Sequence, residues 1–128
     1  MDSSAGPSTR QQKIAIFGHV DVEPDARDGV VASVAELQRS TRDDEPGCLG
    51  YVISADPADP GRIQIAELWE SADALEAHFQ HPNFAATGAA LRSVNRLGGS
   101  SRKYRVDADD EVRDADGQAS ATFWSAAD

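Results

Sequence analysis

The sequence predicts an α+β domain in which a ferredoxin-like βαββαβ antiparallel sheet carries its helices on one face. Three features lead there: short segments rich in β-branched and aromatic residues, intervening segments with apolar residues three and four apart, and turn chemistry at the boundaries. Their order is strand, helix, strand, strand, helix, strand, the pattern of a split βαβ sheet.

Residues 1–12, MDSSAGPSTRQQ, are small, polar and aperiodic, and read as a disordered leader outside a folded domain of residues 13–106. The first strand is Ile14 to Val22, IAIFGHVDV. It is apolar at both parities, which calls for cover on both faces. Pro24 ends it, and Asp25 can cap a helix over Ala26, Val30, Val34 and Leu37 that runs to about Ser40. EPG at 45–47 turns the chain into a second strand, CLGYVISAD. The tight segment PADPG at 57–61 returns it as a third, RIQIAELWE, so a hairpin is expected.

The third strand places Ile63, Ile65, Glu67 and Trp69 on one face and Gln64, Ala66 and Leu68 on the other. Ser71 caps the next helix, Asp73 sits at the positive end of its dipole, and Leu75, His78 and Phe79 form its apolar face. Pro82 stops or restarts that helix, and NFAATGAALRSV continues as a short amphipathic turn or helix using Phe84, Ala85, Leu91 and Val94. Gly98 and Gly99 break it, and RKYRVDA supplies the fourth strand. Residues 107–128 form an acidic tail ending in Phe123 and Trp124, which either packs over a partner subunit or pocket mouth or stays disordered.

With 128 residues the chain can build one hydrophobic core. The formal net charge of −10 opposes phosphate backbones and anionic lipid surfaces, so neither nucleic acid nor membrane is an expected partner. No apolar run approaches the roughly 20 residues of a membrane span, and the first residues lack a secretory apolar stretch; a cytoplasmic protein fits. Cys48 is the only cysteine, which rules out an internal disulfide and a cysteine zinc cluster; it reads as a structural thiol before a nucleophile. His19, His78 and His81 show no i, i+4 pair, and no metal site is expected. Dinucleotide, phosphate-loop and nucleophile-elbow motifs are absent from the sequence.

Strands apolar on both faces carry a further consequence. Helices cover one face of such a sheet, and a second copy of the sheet is the simplest cover for the other, so a homodimer is expected.

The residues able to carry chemistry gather around the third strand and second helix: Glu67, Trp69, His78, Phe79 and Phe84, with Tyr51 on the neighbouring strand. Trp69 is either core or pocket wall. His78 is either a structural histidine or an acid or base titrating near neutrality. Glu67, flanked on its face by Ile65 and Trp69, must pair with an Arg or His or face a cavity. Gly18 in mid-strand leaves room for a ligand or marks a bulge, and His19 points to the opposite face from it.

EPGCLGYVISADPADPGRIQIAELWESADALEAHFQHPNF resembles the signature region of antibiotic biosynthesis monooxygenase domains. The most specific parts are the EPG turn, the DPGR connection, and ELWES followed by ALEAHF with its proline exit. The resemblance spans residues 13–106 and implies a ferredoxin-like homodimer of the dimeric α/β-barrel superfamily, its two sheets packed together. It further implies oxidation of a small or polycyclic phenolic aromatic by molecular oxygen in secondary metabolism, with no cofactor. In that setting Trp69 and His78 are the catalytic candidates, with Tyr51, Glu67, Phe79, Phe84 and Gly18 binding the substrate. Haem-degrading members of the family use an asparagine in the first strand, a tryptophan in the third and a histidine after the proline exit. Here only Trp69 is present, with Gly18 and Ala86 or Thr87 at the other positions, so haem is not expected. The alternatives are a binding or isomerising domain of the same fold and an interaction role for the acidic tail.

Overall fold

The computed structural model describes residues 9–123. Its elements are β1 (Ile14–Val22), α1 (Pro24–Ser33), α2 (Ala35–Asp44), β2 (Cys48–Ala55), β3 (Arg62–Trp69), α3 (Ala72–Gln80), α4 (Pro82–Arg92) and β4 (Arg96–Arg105). The strands form one sheet in the order β2-β3-β1-β4, with every pair antiparallel. This is the predicted α+β, ferredoxin-like arrangement.

Strand parity sorts β3 as expected, with Ile63 and Trp69 on one face. That face meets the helices, and Val20 and Val22 of β1 and Tyr51 and Ile53 of β2 share it, buried with Val30, Val34 and Leu75. The α2 helix lies along the outer edge of β2. There the Gln38 amide both donates to Ile53 O (2.9 Å) and accepts from Ile53 N (2.8 Å), and Arg42 Nε donates to Tyr51 O at 2.6 Å. Side chains thus occupy the middle of an edge that would otherwise pair with another strand.

The opposite face of the sheet carries no helix. On it Phe17 (57% exposed), Val52 (42%) and Tyr104 (48%) surround Ala15, Ala66 and Leu68, with Phe17 and Tyr104 in ring contact at 6.1 Å. A shallow apolar depression of about 240 Å³ lies among Ala15, Phe17, Gly50, Val52, Ala66 and Leu68. An exposed apolar sheet face of this kind is a typical interaction surface.

Local chemistry explains most element ends. The Ser71 hydroxyl accepts from Ala74 N at 3.1 Å and starts α3. His81 closes α3 and caps α4, its Nδ1 accepting from Asn83 N at 3.0 Å, and Pro82 follows at the first helical position, where it needs no hydrogen bond.

Three segments depart from the sequence reading. The helix expected to start at a capping Asp25 begins at Pro24, with Glu23 in the cap position making no side-chain bond; it then breaks at Val34 and resumes as α2 out to Asp44. Val34 is fully buried, so the break seats it in the core and turns the amphipathic face between two helices. The fourth strand starts at Arg96, not Arg102, with Gly98 and Gly99 inside it. The β1–β4 register shifts beside Asp21 and Val22, and a Cβ on Gly99 would lie 2.8 Å from His19 O, so glycine permits a bulged strand here where a break was expected. Within the expected leader, Thr9–Gln11 forms a 3-10 turn whose Arg10 guanidinium pairs with Asp73 at 2.7 Å and Glu76 at 3.2 Å. Residues 1–8 lie outside the described residues.

In the acidic segment, Val106 N donates to Lys13 O at 2.8 Å and Lys13 Nζ pairs with Asp109 at 2.8 Å. A small turn at Asp114 to Gly117 is bridged by Arg113 and Ala119. Phe123 is half exposed, and Trp124 lies outside the described residues.

Candidate active site

β2, β3, α3 and α4 bring Tyr51, Glu67, Trp69, His78, Phe79 and Phe84 together as the sequence suggested. His78 is the hub: its ring lies 4.6 Å from Trp69, 5.4 Å from Tyr51, 5.4 Å from Phe84 and 5.9 Å from Phe79. The Phe79 and Phe84 rings meet tilted, 58° between their planes and 5.0 Å between centroids, and both are 44% exposed. The cluster therefore has a sealed inner part, Tyr51, Trp69 and His78 at 0–3% exposure, and an open rim of two phenylalanines.

The sealing changes what each polar group can do. His78 Nδ1 lies 2.7 Å from Glu45 Oε1, and since a carboxylate only accepts, Nδ1 carries the proton. Glu45 Oε2 in turn accepts from Asn83 Nδ2 at 3.0 Å and lies 3.6 Å from His81 Nδ1, while Asn83 also donates to Ser40 Oγ at 3.1 Å. This network ties the EPG turn, α2, α3 and α4 into one buried polar knot. Fully satisfied networks of this kind hold a core in one arrangement.

Glu67 answers its own burial differently. The Trp69 indole N–H donates to Glu67 Oε1 at 2.9 Å. Burial raises the Glu67 pKa, and the distant Glu45 adds to the rise, while the Trp69 hydrogen bond and His78 oppose it. Glu67 nonetheless remains partly accessible, beside the partly covered Ile16 and Ile65. Burial also raises the Tyr51 pKa strongly; its hydroxyl approaches Thr87 outside hydrogen-bond geometry, leaving the buried Thr87 Oγ1 without a partner among the described residues. The Cys48 thiol is pushed up by burial, which suits an inert thiol better than a nucleophile.

Gly18 does not open onto this cluster. A Cβ there would lie 2.5 Å from Ser100 O and 2.6 Å from Ser101 Cβ, so its missing side chain admits β4. Beside the cluster, a cleft of about 370 Å³ runs between α3 and the β1–β4 half of the sheet, bordered by Ile14, Ala72, Lys103 and Arg105. An adjoining hollow of about 240 Å³ shares Ile14, Ala72 and Lys103 and reaches Leu75 and Phe79.

Glu45, Asn83 and Lys103 were not foreseen. The sequence showed EPG only as a turn, and nothing along the chain links residues 33 positions apart. Among the described residues no group of three His, Cys, Asp or Glu side chains is placed to hold a metal ion, and no helix is long and apolar enough to cross a membrane.

The fold and its site define a ferredoxin-like α+β domain whose aromatic and acid–base side chains converge between the sheet and its helices. A profile of the antibiotic biosynthesis monooxygenase family matches residues 14–90, and the chain belongs to that family. Its fold is shared by a candidate antibiotic biosynthesis monooxygenase from Caulobacter crescentus CB15, at 25% identity and a TM-score of 0.69 over 76% of this chain and 92% of that one. An antibiotic biosynthesis monooxygenase crystal structure matches at 27% identity and a TM-score of 0.64, covering 73% and 97%. A protein of unknown function and candidate oxidoreductase from Bacteroides thetaiotaomicron VPI-5482 shares the fold at 21% identity and 0.67, covering 75% and 99%. No curated protein sequence matches the chain.

Proposed function

We propose that the protein is a monooxygenase that oxidises a small or polycyclic phenol with molecular oxygen, using no resident cofactor and working as a cytoplasmic homodimer. Membership of the family supports the reaction class. The observation that carries the reading is Glu67, a partly accessible carboxyl on the helix-side face of the sheet with a raised pKa and one oxygen held by Trp69. A carboxylate whose pKa is raised toward working pH is a better base for a phenolic proton, and its anchored geometry lowers the cost of orientation.

In this scheme Glu67 takes the phenolic proton through the oxygen Trp69 leaves free. The electron-rich phenolate passes an electron to O₂, and the resulting pair joins at a ring carbon as a peroxide. Loss of that carbon's proton with cleavage of the O–O bond leaves a quinone carbonyl, and the departing oxygen, taking this proton and the one held by Glu67, is released as water. One oxygen atom enters the ring, the other leaves as water, and all four electrons come from the substrate. Phe79 and Phe84 offer half-exposed ring surface against which a flat substrate can lie. His78, sealed and engaged by Glu45, is assigned to holding Trp69 and Tyr51 in place.

The test is oxygen uptake by metal-free protein with a panel of naphthols and hydroxyanthracenes. Glu67→Gln should cut the rate about 10²-fold or more while ligand binding persists. If no phenol that binds raises oxygen consumption above buffer, the oxygenase reading fails and proton transfer without oxygen becomes the better description of Glu67.

A further inference from the structure

Twelve basic residues stand against twenty-two acidic ones, so most cations have a carboxylate or carbonyl at hand. Arg10, Lys13, Arg27, Arg39, Arg42, Arg62, Arg96 and Arg113 all use one. Those making no side-chain hydrogen bond or ion pair with another described residue are Arg92 and three neighbours on β4: Arg102, Lys103 and Arg105. In a protein this acidic, three unpaired cations on one strand are not a matter of average composition.

Register separates the three. Lys103 opposes Ile16 and Arg105 opposes Ile14, which places both on the helix-side face, whereas Arg102 opposes Phe17 on the other. Lys103 and Arg105 border the 370 Å³ cleft, a volume suited to a small ligand, with Ile14 and Ala72 beneath. Alongside Lys103, the adjoining hollow adds Leu75 and Phe79 together with Arg10 and Glu76, whose charges are paired with each other at 3.2 Å. Across the sheet, Lys103, Ile16 and Glu67 stand in one row, so Lys103 and Glu67 are two strands, or about 10 Å, apart along the backbone.

From this placement we infer that Lys103 and Arg105 select an aromatic substrate bearing an anionic group, a carboxylate for preference, at the end remote from the phenol that meets Glu67. The inference rests on the proposed role of Glu67 and adds the substrate class. The cleft beside the unpaired cation pair would take the carboxylate end of a fused-ring hydroxy acid, whose rings would extend along the row past Ile16 toward Glu67. Its carboxylate supplies the counter-charge that β4 lacks, and charge-assisted hydrogen bonds are the strong ones.

Isothermal titration under anaerobic conditions at pH 7.5 tests this with 6-hydroxy-2-naphthoate, which carries phenol and carboxylate at opposite ends of two fused rings, and 6-hydroxy-2-naphthamide, the same shape without the charge. The acid should bind about tenfold more tightly, and more weakly as salt rises. Lys103→Gln with Arg105→Gln should abolish that preference while Arg39→Gln, which removes a charge from the far α2 surface, leaves it intact. Equal binding of acid and amide, or a preference that survives the double substitution, overturns the inference. Because turnover is not involved, acid preference without oxygen uptake sinks only the oxygenase reading, and oxygen uptake without acid preference sinks only this one.

Discussion

Replacing His78 by alanine and by asparagine separates a histidine that holds the core from one that moves a proton. His78 is 1% exposed, with four aromatic rings within 6 Å of its own and Glu45 on Nδ1. Alanine removes the ring and leaves a cavity, which for a buried aromatic costs about 3–5 kcal/mol. It also strips Glu45 of a partner, adding about 1–3 kcal/mol for an unsatisfied buried acceptor. The combined cost approaches the roughly 5–15 kcal/mol that keeps a small domain folded. At about 4–8 °C per kcal/mol for a domain of this size, the Tm should fall by more than about 15 °C, or the protein should fail to fold. Asparagine can place its Nδ2 where Nδ1 stands and keep the bond to Glu45. His78→Asn should therefore recover much of the loss and, once folded, retain oxygen uptake within a few-fold of the parent. Thermal unfolding followed by circular dichroism, paired with oxygen consumption on the same samples, reads both quantities. A His78→Asn protein with near-parental Tm and activity down 10²-fold or more would refute this reasoning and return His78 to the role of base.

Further outcomes follow from the same structure. Activity should climb with pH along a limb set by Glu67, above the ordinary carboxylate range, and this limb should vanish in Glu67→Gln; a pH–rate profile of kcat/KM checks it. In folding, the raised native pKa means that between about 4.5 and that value the native state holds a proton the unfolded chain has released. Stability from this group is thus lost as pH rises through the window, and Glu67→Gln, which keeps an acceptor for Trp69, should be more stable than the parent above it when Tm is followed against pH. Gly18→Ala should lower stability by about 1–3 kcal/mol in urea unfolding, because a methyl 2.5 Å from Ser100 O must push β4 outward; an unchanged midpoint would contradict the close approach. Light scattering after size exclusion at micromolar concentration should show a dimer, and Phe17→Asp on the uncovered sheet face should yield monomer; a parent protein that is monomeric throughout removes the homodimer from the proposal.

The uncovered face shows how far pattern reading reaches. Alternation along β3 set Ala66 and Leu68 on the face opposite Ile63 and Trp69; that this is the face without a helix, and that Phe17 of β1 shares it, came from the structure. Ser71 as a cap and the β2–β3 hairpin were equally legible, since each depends on residues within a few positions of one another. The α1–α2 break was not, because nothing local marks Val34 as a residue the core would claim; its burial is a demand of the sheet beneath. Gly98 and Gly99 misled for a related reason. Glycine ends a helix or bends a strand with equal ease, and only pairing with β1 determines which.

For the site, the sequence by itself determined that Glu67 and Trp69 share a strand face and that His78 and Phe79 lie on the neighbouring helix, because period two and period 3.6 are properties of the backbone. Only the tertiary structure decided their chemistry. Packing closed Trp69, Tyr51 and His78 into a core, brought Glu45 across 33 residues to engage His78, and turned the Trp69 N–H onto Glu67. Whether a carboxylate or an imidazole is available to a substrate depends on desolvation and on which partner arrives first. Both are consequences of which surfaces meet in three dimensions, a quantity that spacing along a chain does not contain.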